Sequence, residues 1–333
     1  MSLIKYLTGA KSGYNPTLLV WTAALVIPVI SFFTTVLLCY FKKDRHEELT
    51  RGHIFVCLVL WVIAKILLIP SQTFDVAFHH VWKVTASSQP ISALYETKCF
   101  ALDYPPLFAY FEKFWGSILS WFAHPDFTLS RVFNESLSFL VLMRLTVIAT
   151  DFVYFFSLLA LFRFAQNYRP SNTLSSHRVA YNVGTFGFCL FDGALLAIDN
   201  GSFQYNSIIF ALIIWSIIFL LSKRELLAAF LYCVAVLTKQ ITIYYSVAYL
   251  GYFLFNYVLS FTKSSFRIHW LRLLKLGVIV CGSVFCAFYP LRDNLPKVFH
   301  QLTGGDNDPV GYAAIPTLQF VYAFTKVGFF VRL

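Results

Sequence analysis

The chain is poor in charge: Asp, Glu, Lys and Arg make up 13% of its 333 residues, where an ordinary soluble domain carries roughly 25%. With 58% hydrophobic residues and a mean hydropathy of +0.68, that deficit excludes a water-exposed globular enzyme. Paired cysteines are also missing. Of the seven, Cys39, Cys57, Cys189, Cys233, Cys281 and Cys286 lie in or beside apolar blocks, and Cys99 alone sits in a long polar loop. No disulfide framework and no CxxC metal pair can be assembled from them. Internal repeats, low-complexity tracts and linkers long enough to separate soluble domains are lacking too. The N-terminal MSLIKYLTGAKSGYNP precedes an apolar stretch too long for a signal-peptide core and without a small-residue cleavage site, so it reads as a retained helix.

What the chain does have is apolar blocks of about 17–25 residues, the length that crosses ~30 Å of hydrocarbon as a helix. A net charge of +10 would suit nucleic acid if the cations formed one surface. They fall instead in short clusters between the blocks, where they orient the chain against anionic headgroups, so membrane lipid and not nucleic acid is the expected partner. The blocks run from about Thr17 to Phe41, His53 to Pro70, Leu137 to Phe162, Val179 to Ile198 and Phe203 to Leu221. A short-helix hairpin follows between Leu226 and Leu259 with Lys239 at its turn, then Leu273 to Tyr289. Half of the 26 Lys and Arg fall in turns assigned to the cytoplasm: Lys42, Lys43, Arg45, Arg51, Arg163, Arg169, Arg178, Lys223, Arg224, Lys263, Arg267, Arg272 and Lys275. The stretch 71–136 holds only Lys83, Lys98, Lys113 and Arg131 and is assigned to the far side.

The expected fold is therefore all-α and polytopic, with about eight or nine membrane helices. Residues 1–52 form an extension with one helix and a cytoplasmic turn, 53–301 the main membrane region with the loop 71–136, and 302–333 a tail with room for one more helix. Pro309 and Pro316 weaken that last helix. The loop is too mixed to span and too aromatic to be a linker. Phe111 to Phe122 spaces its aromatics and Leu119 as a helix lying in the interface, with Glu112 and Lys113 between them. Asn134-Glu135-Ser136 is a glycosylation sequon, usable only on the lumenal side.

The large loop opens with PSQTFDVAFHHVWKVT and closes on FALDYPPLFAYFE, which places Asp75 and Asp103 beside the membrane near His79, His80, Trp82 and Tyr104. The order is a helix with Lys65 near its end, Asp75 after the terminal Pro70, Trp82, then PIS and LDYPP. It resembles the endoplasmic-reticulum glucosyltransferases that use dolichyl-phosphate glucose to build the N-glycan precursor. Arg144 and Asp151 match an Arg and Asp pair in that family, and Asp199 to Asn206 is similar to its DxxxFQYN segment. Lys239-Gln240 and Leu274-Lys275-Leu276-Gly277 match as well. The resemblance covers about His53 to Gln301. The short spacer from Pro90-Ile91-Ser92 to Asp103, with Phe108 to Glu112 after the prolines, looks more like the enzyme adding the second glucose than the first.

That resemblance implies an architecture of the GT-C type in the endoplasmic-reticulum membrane, active on the lumenal side. It implies inverting α-1,3 transfer of glucose between polyprenyl-linked donor and acceptor, from dolichyl-phosphate glucose to Glc1Man9GlcNAc2-PP-dolichol. No metal and no cofactor beyond the donor are implied, and protein partners are not specified. Its first-glucose counterpart would act on Man9GlcNAc2-PP-dolichol. Asp75 fits a general base, since the attacking hydroxyl must lose a proton while dolichyl phosphate departs as an anion; a helix cap is its plainer role. Asp103 and Tyr104 are candidates for substrate contact, although the following prolines make a turn role equally suitable for Asp103. His79 and His80 are candidates for the acceptor groove or a phosphate, but as neighbours on a helix they face different ways and make poor joint metal ligands. Trp82, Tyr205 and Asn206 are expected to shape the cavity, and Lys239 to bind donor phosphate or to snorkel. Arg144 and Asp151, at i and i+7, share a helix face too far apart to bond but are placed to flank a common partner in the membrane.

The sequence departs from the family pattern where Ala77 and His80 replace a Glu and an Arg, and where Asn200 and Ser202 replace histidines. Family members also continue for many helices after the stretch represented by Phe288-Tyr289-Pro290-Leu291, so the chain is expected to be truncated at its C-terminus. The first 52 residues also differ from the usual start. A noncatalytic protein that binds lipid-linked sugar is the competing reading. A transporter using Lys65, Arg144, Asp151, Asp192 and Lys239 is a third.

Overall fold

The computed structural model describes residues 50–302, apart from 72, 98–99, 168–182 and 263–264. The expected helix from Thr17 to Phe41, the loop carrying Arg169 and Arg178, Cys99 and the tail after residue 302 lie outside the described residues.

Helix α1 (Arg51–Leu67) begins at a reciprocal cap. Thr50 Oγ1 accepts from His53 N–H at 3.3 Å, and His53 Nδ1 accepts from Thr50 N–H at 3.5 Å. Cys57, Trp61, Lys65 and Leu68 face inward, whereas Phe55, Val59, Ile63 and Leu67 stay exposed, a division suited to a helix with lipid on one side. The expected loop is ordered. Helix α2 (Phe74–Ser88) ends where Gln89 precedes Pro90, which bars helical backbone at that residue. A 3-10 turn (Ile91–Tyr95) leads to α3 (Pro106–Trp121), which starts on a proline whose missing N–H costs nothing there.

Helix α4 (Leu137–Asn167) has 31 residues, so it is ~46 Å long, more than a bilayer core needs. Its first third packs Phe139, Leu140 and Met143 into the same apolar cluster as Val76, Trp82, Phe108 and Leu119 of α2 and α3. Farther along, Tyr154, Phe155 and Leu158 pack with Trp61 of α1 and Phe186 of α5 (Val183–Leu190). One long helix thus joins the loop domain to the membrane layer.

The single span expected from Val179 to Ile198 is broken. After α5 come Phe191 and Asp192, a short turn (Gly193–Leu195) capped by Asp192, and a π-helical turn (Leu196–Gly201). Helices α6 (Asn206–Leu221) and α7 (Glu225–Thr238) form an antiparallel pair, pinned where Ser216 Oγ donates to Ala228 O at 2.7 Å. Helix α7 is also the first arm of the short-helix hairpin expected between Leu226 and Leu259. The chain bends at Lys239, continues through a 3-10 turn (Gln240–Tyr245) and α8 (Ser246–Tyr252), and closes with a π-helical turn (Phe253–Val258).

Strands β1 (Leu259–Thr262) and β2 (Ser265–Ile268) then pair antiparallel, with Phe261 opposite Phe266. This hairpin departs from the all-α expectation, in which the basic stretch was only a loop. It is followed by α9 (Trp270–Phe288), a 3-10 turn (Tyr289–Asn294) and α10 (Leu295–Leu302). Among the described residues, two helical stretches are long and apolar enough to cross a membrane, Leu137–Ala165 and Trp270–Leu302. Helices α6 and α7 are apolar and shorter.

Candidate functional site

The site is assembled on a lattice of buried charge. Lys65 Nζ of α1 donates to Asp151 Oδ2 of α4 at 2.7 Å and to Asn200 Oδ1 at 2.6 Å, and Asn200 Nδ2 donates to the same carboxylate oxygen at 2.9 Å. Arg144, also fully buried, spends its guanidinium on main-chain carbonyls: Asn200 O at 2.6 Å, Gly201 O at 3.0 Å and Ser71 O at 2.5 Å. Arg144 and Asp151 do flank a common partner, and it is Asn200, one of the departures from the family pattern. Charges at this depth are costly unless paired or bonded, and three of the five charges offered as a transport path, Lys65, Arg144 and Asp151, are held this way in a fixed scaffold.

The π turn supplies a second anchor. Asp199 accepts from the N–H groups of Asn206 (3.0 Å) and Ser207 (2.6 Å), from Asn206 Nδ2 (2.8 Å) and from Ser207 Oγ (2.7 Å). It thereby caps the N-terminus of α6, whose first amides have no helical partner. Between these anchors Phe203 takes left-handed backbone, φ 74°, a conformation that costs a bulky residue energy and persists only where surroundings impose it. Its ring is buried, with Arg144 centred 5.1 Å and Lys83 Nζ 5.3 Å from it.

The Ser71–Thr73 segment is stitched to this turn. Ser71 Oγ donates to Gly201 O at 2.9 Å, and Thr73 Oγ1 donates to Ser202 O. The next residues begin α2, with Asp75 in its first turn. Asp75 does not act as the helix cap, since Thr73 occupies that position. Its half-buried carboxylate has no hydrogen bond among the described residues, and its charge is felt at His79, Tyr104, Arg144 and Lys239.

Facing Asp75 is a polar cluster. Lys239 Nζ donates to Gln204 Oε1 at 3.1 Å and Asn206 Oδ1 at 2.8 Å, and lies 5.0 Å from the centre of the Tyr104 ring. Tyr104 OH donates to the same Gln204 oxygen at 3.2 Å. Burial, with the charges of Asp103 and Asp75 adding to it, pushes the Tyr104 phenol upward, so it stays a protonated donor. Gln240 Nε2 donates to Asp103 O at 3.0 Å, which fixes the LDYPP turn against the bend at Lys239. An ammonium has three donors; two of Lys239's go to neutral amide oxygens. Burial pushes the Lys239 ammonium below its ordinary value, opposed by the charges of Asp199, Asp103 and Asp75.

Four of the expected contacts lie behind this cluster instead. His79 and His80 are buried, and they do diverge: His79 Nδ1 is 2.7 Å from Glu112 Oε1 and His80 Nδ1 is 2.9 Å from Glu135 Oε1. Trp82 donates Nε1–H to Phe100 O at 2.7 Å within the core. The Tyr205 hydroxyl is spent on Thr146. Apolar packing of α2 on its neighbours turns these residues inward. Ala77 and His80, two departures from the family pattern, both face that interior.

Glu112, read as an interfacial surface residue, is completely buried and bonds Lys83 Nζ at 2.7 Å as well as His79. Burial raises the Glu112 carboxyl, but Lys83 and His79 together outweigh it and hold the group low. A Glu and a Lys with no helical spacing between them leave no mark in the sequence. Asp199 and Gln204 were missed as well; the tight DNGSFQYN segment was the available signal.

The fold and site define a helical membrane protein with a buried, amide-bonded lysine and, near it, a carboxylate without a hydrogen bond among the described residues. A profile of the ALG6, ALG8 glycosyltransferase family matches residues 61–303, and the chain belongs to that family. It is 35% identical over 253 residues to the dolichyl pyrophosphate Glc1Man9GlcNAc2 alpha-1,3-glucosyltransferase of Saccharomyces cerevisiae, covering 72% of this chain and 42% of that protein. Proteins of the same name from Gibberella zeae and Mus musculus are 34% and 30% identical, over 72% and 75% of this chain and 47% and 49% of theirs. The chain spans about half the length of the curated relatives it matches.

Proposed function

We propose that this chain carries the base and donor-phosphate site of an inverting α-1,3-glucosyltransferase of the GT-C type, a multi-pass protein of the endoplasmic-reticulum membrane with about eight or nine spanning helices. It transfers glucose from dolichyl-phosphate glucose to Glc1Man9GlcNAc2-PP-dolichol on the lumenal side. Asp75 takes the proton from the attacking sugar hydroxyl as the new bond forms. Lys239, oriented by Gln204 and Asn206, balances the phosphate that leaves with the dolichol, as a positioned cation does for developing negative charge. Tyr104 and Asp103 border the sugar. A phosphate monoester departs as an anion, so one positioned base is sufficient and no metal is required.

The observation that carries this reading is an Asp75 carboxylate with no hydrogen bond among the described residues, whose charge reaches a Lys239 that donates to the neutral amides of Gln204 and Asn206. A noncatalytic protein that binds lipid-linked sugar is the competing reading. Microsomes containing the chain, supplied with labelled dolichyl-phosphate glucose and either Man9 or Glc1Man9 lipid-linked acceptor, separate the readings. Transfer to the Glc1Man9 acceptor alone is expected. Transfer to Man9 alone would make it the first-glucose enzyme, and acceptor retention without transfer would make it noncatalytic.

A further inference from the structure

The β1–β2 hairpin takes no part in the site. Antiparallel register puts directly opposed residues on the same face, so Leu259, Phe261, Phe266 and Ile268 share one side and Ser260 and Arg267 the other. Two strands alone are marginal in water, yet the Phe261 and Phe266 rings are 61% and 54% exposed, 5.2 Å apart. Phe255 extends the same surface, 6.2 Å from Phe261.

Around this apolar face stand a tryptophan and cations. Trp270 is 68% exposed, Arg267 is exposed on the hairpin's other face, Lys275 is exposed on α9, and Arg272 is tied to Tyr257 O at 3.1 Å. The hairpin feeds directly into α9, whose Leu271, Leu274, Val278 and Phe285 are exposed along its length. The turn and α10 that follow α9 pack on Ile91–Tyr95, and Lys297 of α10 meets Glu96 at 3.3 Å. The 19 residues of α9, ~28 Å of helix, therefore separate the hairpin from the loop domain by about one hydrocarbon thickness.

We infer that the hairpin is an interfacial foot that lies in the leaflet opposite the site and binds anionic phospholipid headgroups. Its phenylalanines enter the acyl boundary, Trp270 takes the belt position typical of tryptophan at an interface, and Arg267, Arg272 and Lys275 face lipid phosphates. Charge complementarity and continuity with the lipid-facing side of α9 favour a membrane over a protein partner. The inference concerns anchoring and holds whether or not the chain transfers glucose.

The test is amide exchange of the full chain in nanodiscs of phosphatidylcholine, with or without one quarter phosphatidylserine. Protection over 255–270 is expected to rise with phosphatidylserine, each cation near an anionic surface contributing about fivefold. Arg267→Gln with Lys275→Gln, residues without intramolecular bonds among those described, should remove this dependence on lipid charge while exchange in α6 and α7 stays unchanged. Phe261→Ser with Phe266→Ser should lower protection in both discs. Equal hairpin exchange in the two discs, or a charge dependence that survives the Gln pair, would overturn the inference. A hairpin unprotected in either disc would point to a protein occupant and overturn it as well.

Discussion

At the residue scale, the stakes are set by how each charge is satisfied. Glu112 and Lys83 are both fully buried and bonded at 2.7 Å, so removing one leaves the other stranded. Such a break costs about 3–5 kcal/mol, while replacing both partners with apolar groups is often tolerated. Glu112→Leu is therefore expected to lower the thermal unfolding midpoint of the detergent-solubilised chain sharply, and Lys83→Met in the same chain to restore most of it. A double variant no better than the single would show that the pair does not hold α2 to α3. His79 adds a pH dependence. Burial pushes its imidazole down despite Glu112, so the unfolded chain binds a proton more readily, and stability is lost as pH falls below the ordinary histidine value of ~6.5. The low-held Glu112 acts in the same direction at lower pH. His79→Gln should flatten the midpoint between about pH 7 and 5; an unchanged slope would refute the assignment.

At the element scale, the site depends on how closely α2 and α3 cross. A Cβ built on Gly116 would meet the carbonyl oxygen of Lys83, so any larger residue must push the helices apart. Gly116→Ala is expected to cost about 1–3 kcal/mol, as overpacking does, with transfer falling as α2 shifts. A midpoint within error of the parent would contradict the close crossing. Much of the element pattern was legible in the sequence. The hydrophobic blocks gave α1, α4, α6 and α9, and Lys239-Gln240 in an apolar run gave the bend after α7. What hid was tertiary: Asp199 caps α6 from a turn seven residues upstream, and the Asp192 cap breaks a run that reads as one span. The β1–β2 hairpin has strands of four residues, too short for an alternation signal to emerge. Asp75 and Lys239 could be named as candidates because the family resemblance was added to their place at helix ends, where capping and snorkelling serve as well. Inward-facing His79, His80, Trp82 and Tyr205 share the same local sequence character, and only packing distinguishes them.

For the molecule as a whole, α4 is the connection between scaffold and site. Its first half carries both Asp151, in the Lys65 lattice, and, two turns earlier, Arg144, which grips Ser71 and Gly201, the segments that lead into Asp75 and into Gln204. Lys239→Gln, which removes the cation while keeping an amide of similar length, should weaken use of dolichyl-phosphate glucose by about tenfold or more and leave acceptor retention intact. Equal loss of both would show that the lysine supports the fold and not the donor. The central claim is that Asp75 is the base of a glucosyl transfer. It is tested most directly by sizing the lipid-linked oligosaccharides of cells that lack their own second glucosyltransferase and express either this chain or its Asp75→Asn variant at equal membrane levels. The account predicts conversion of the accumulated monoglucosylated species by the parent and a loss on the order of 10²-fold or more in the variant. Conversion that survives Asp75→Asn would contradict it.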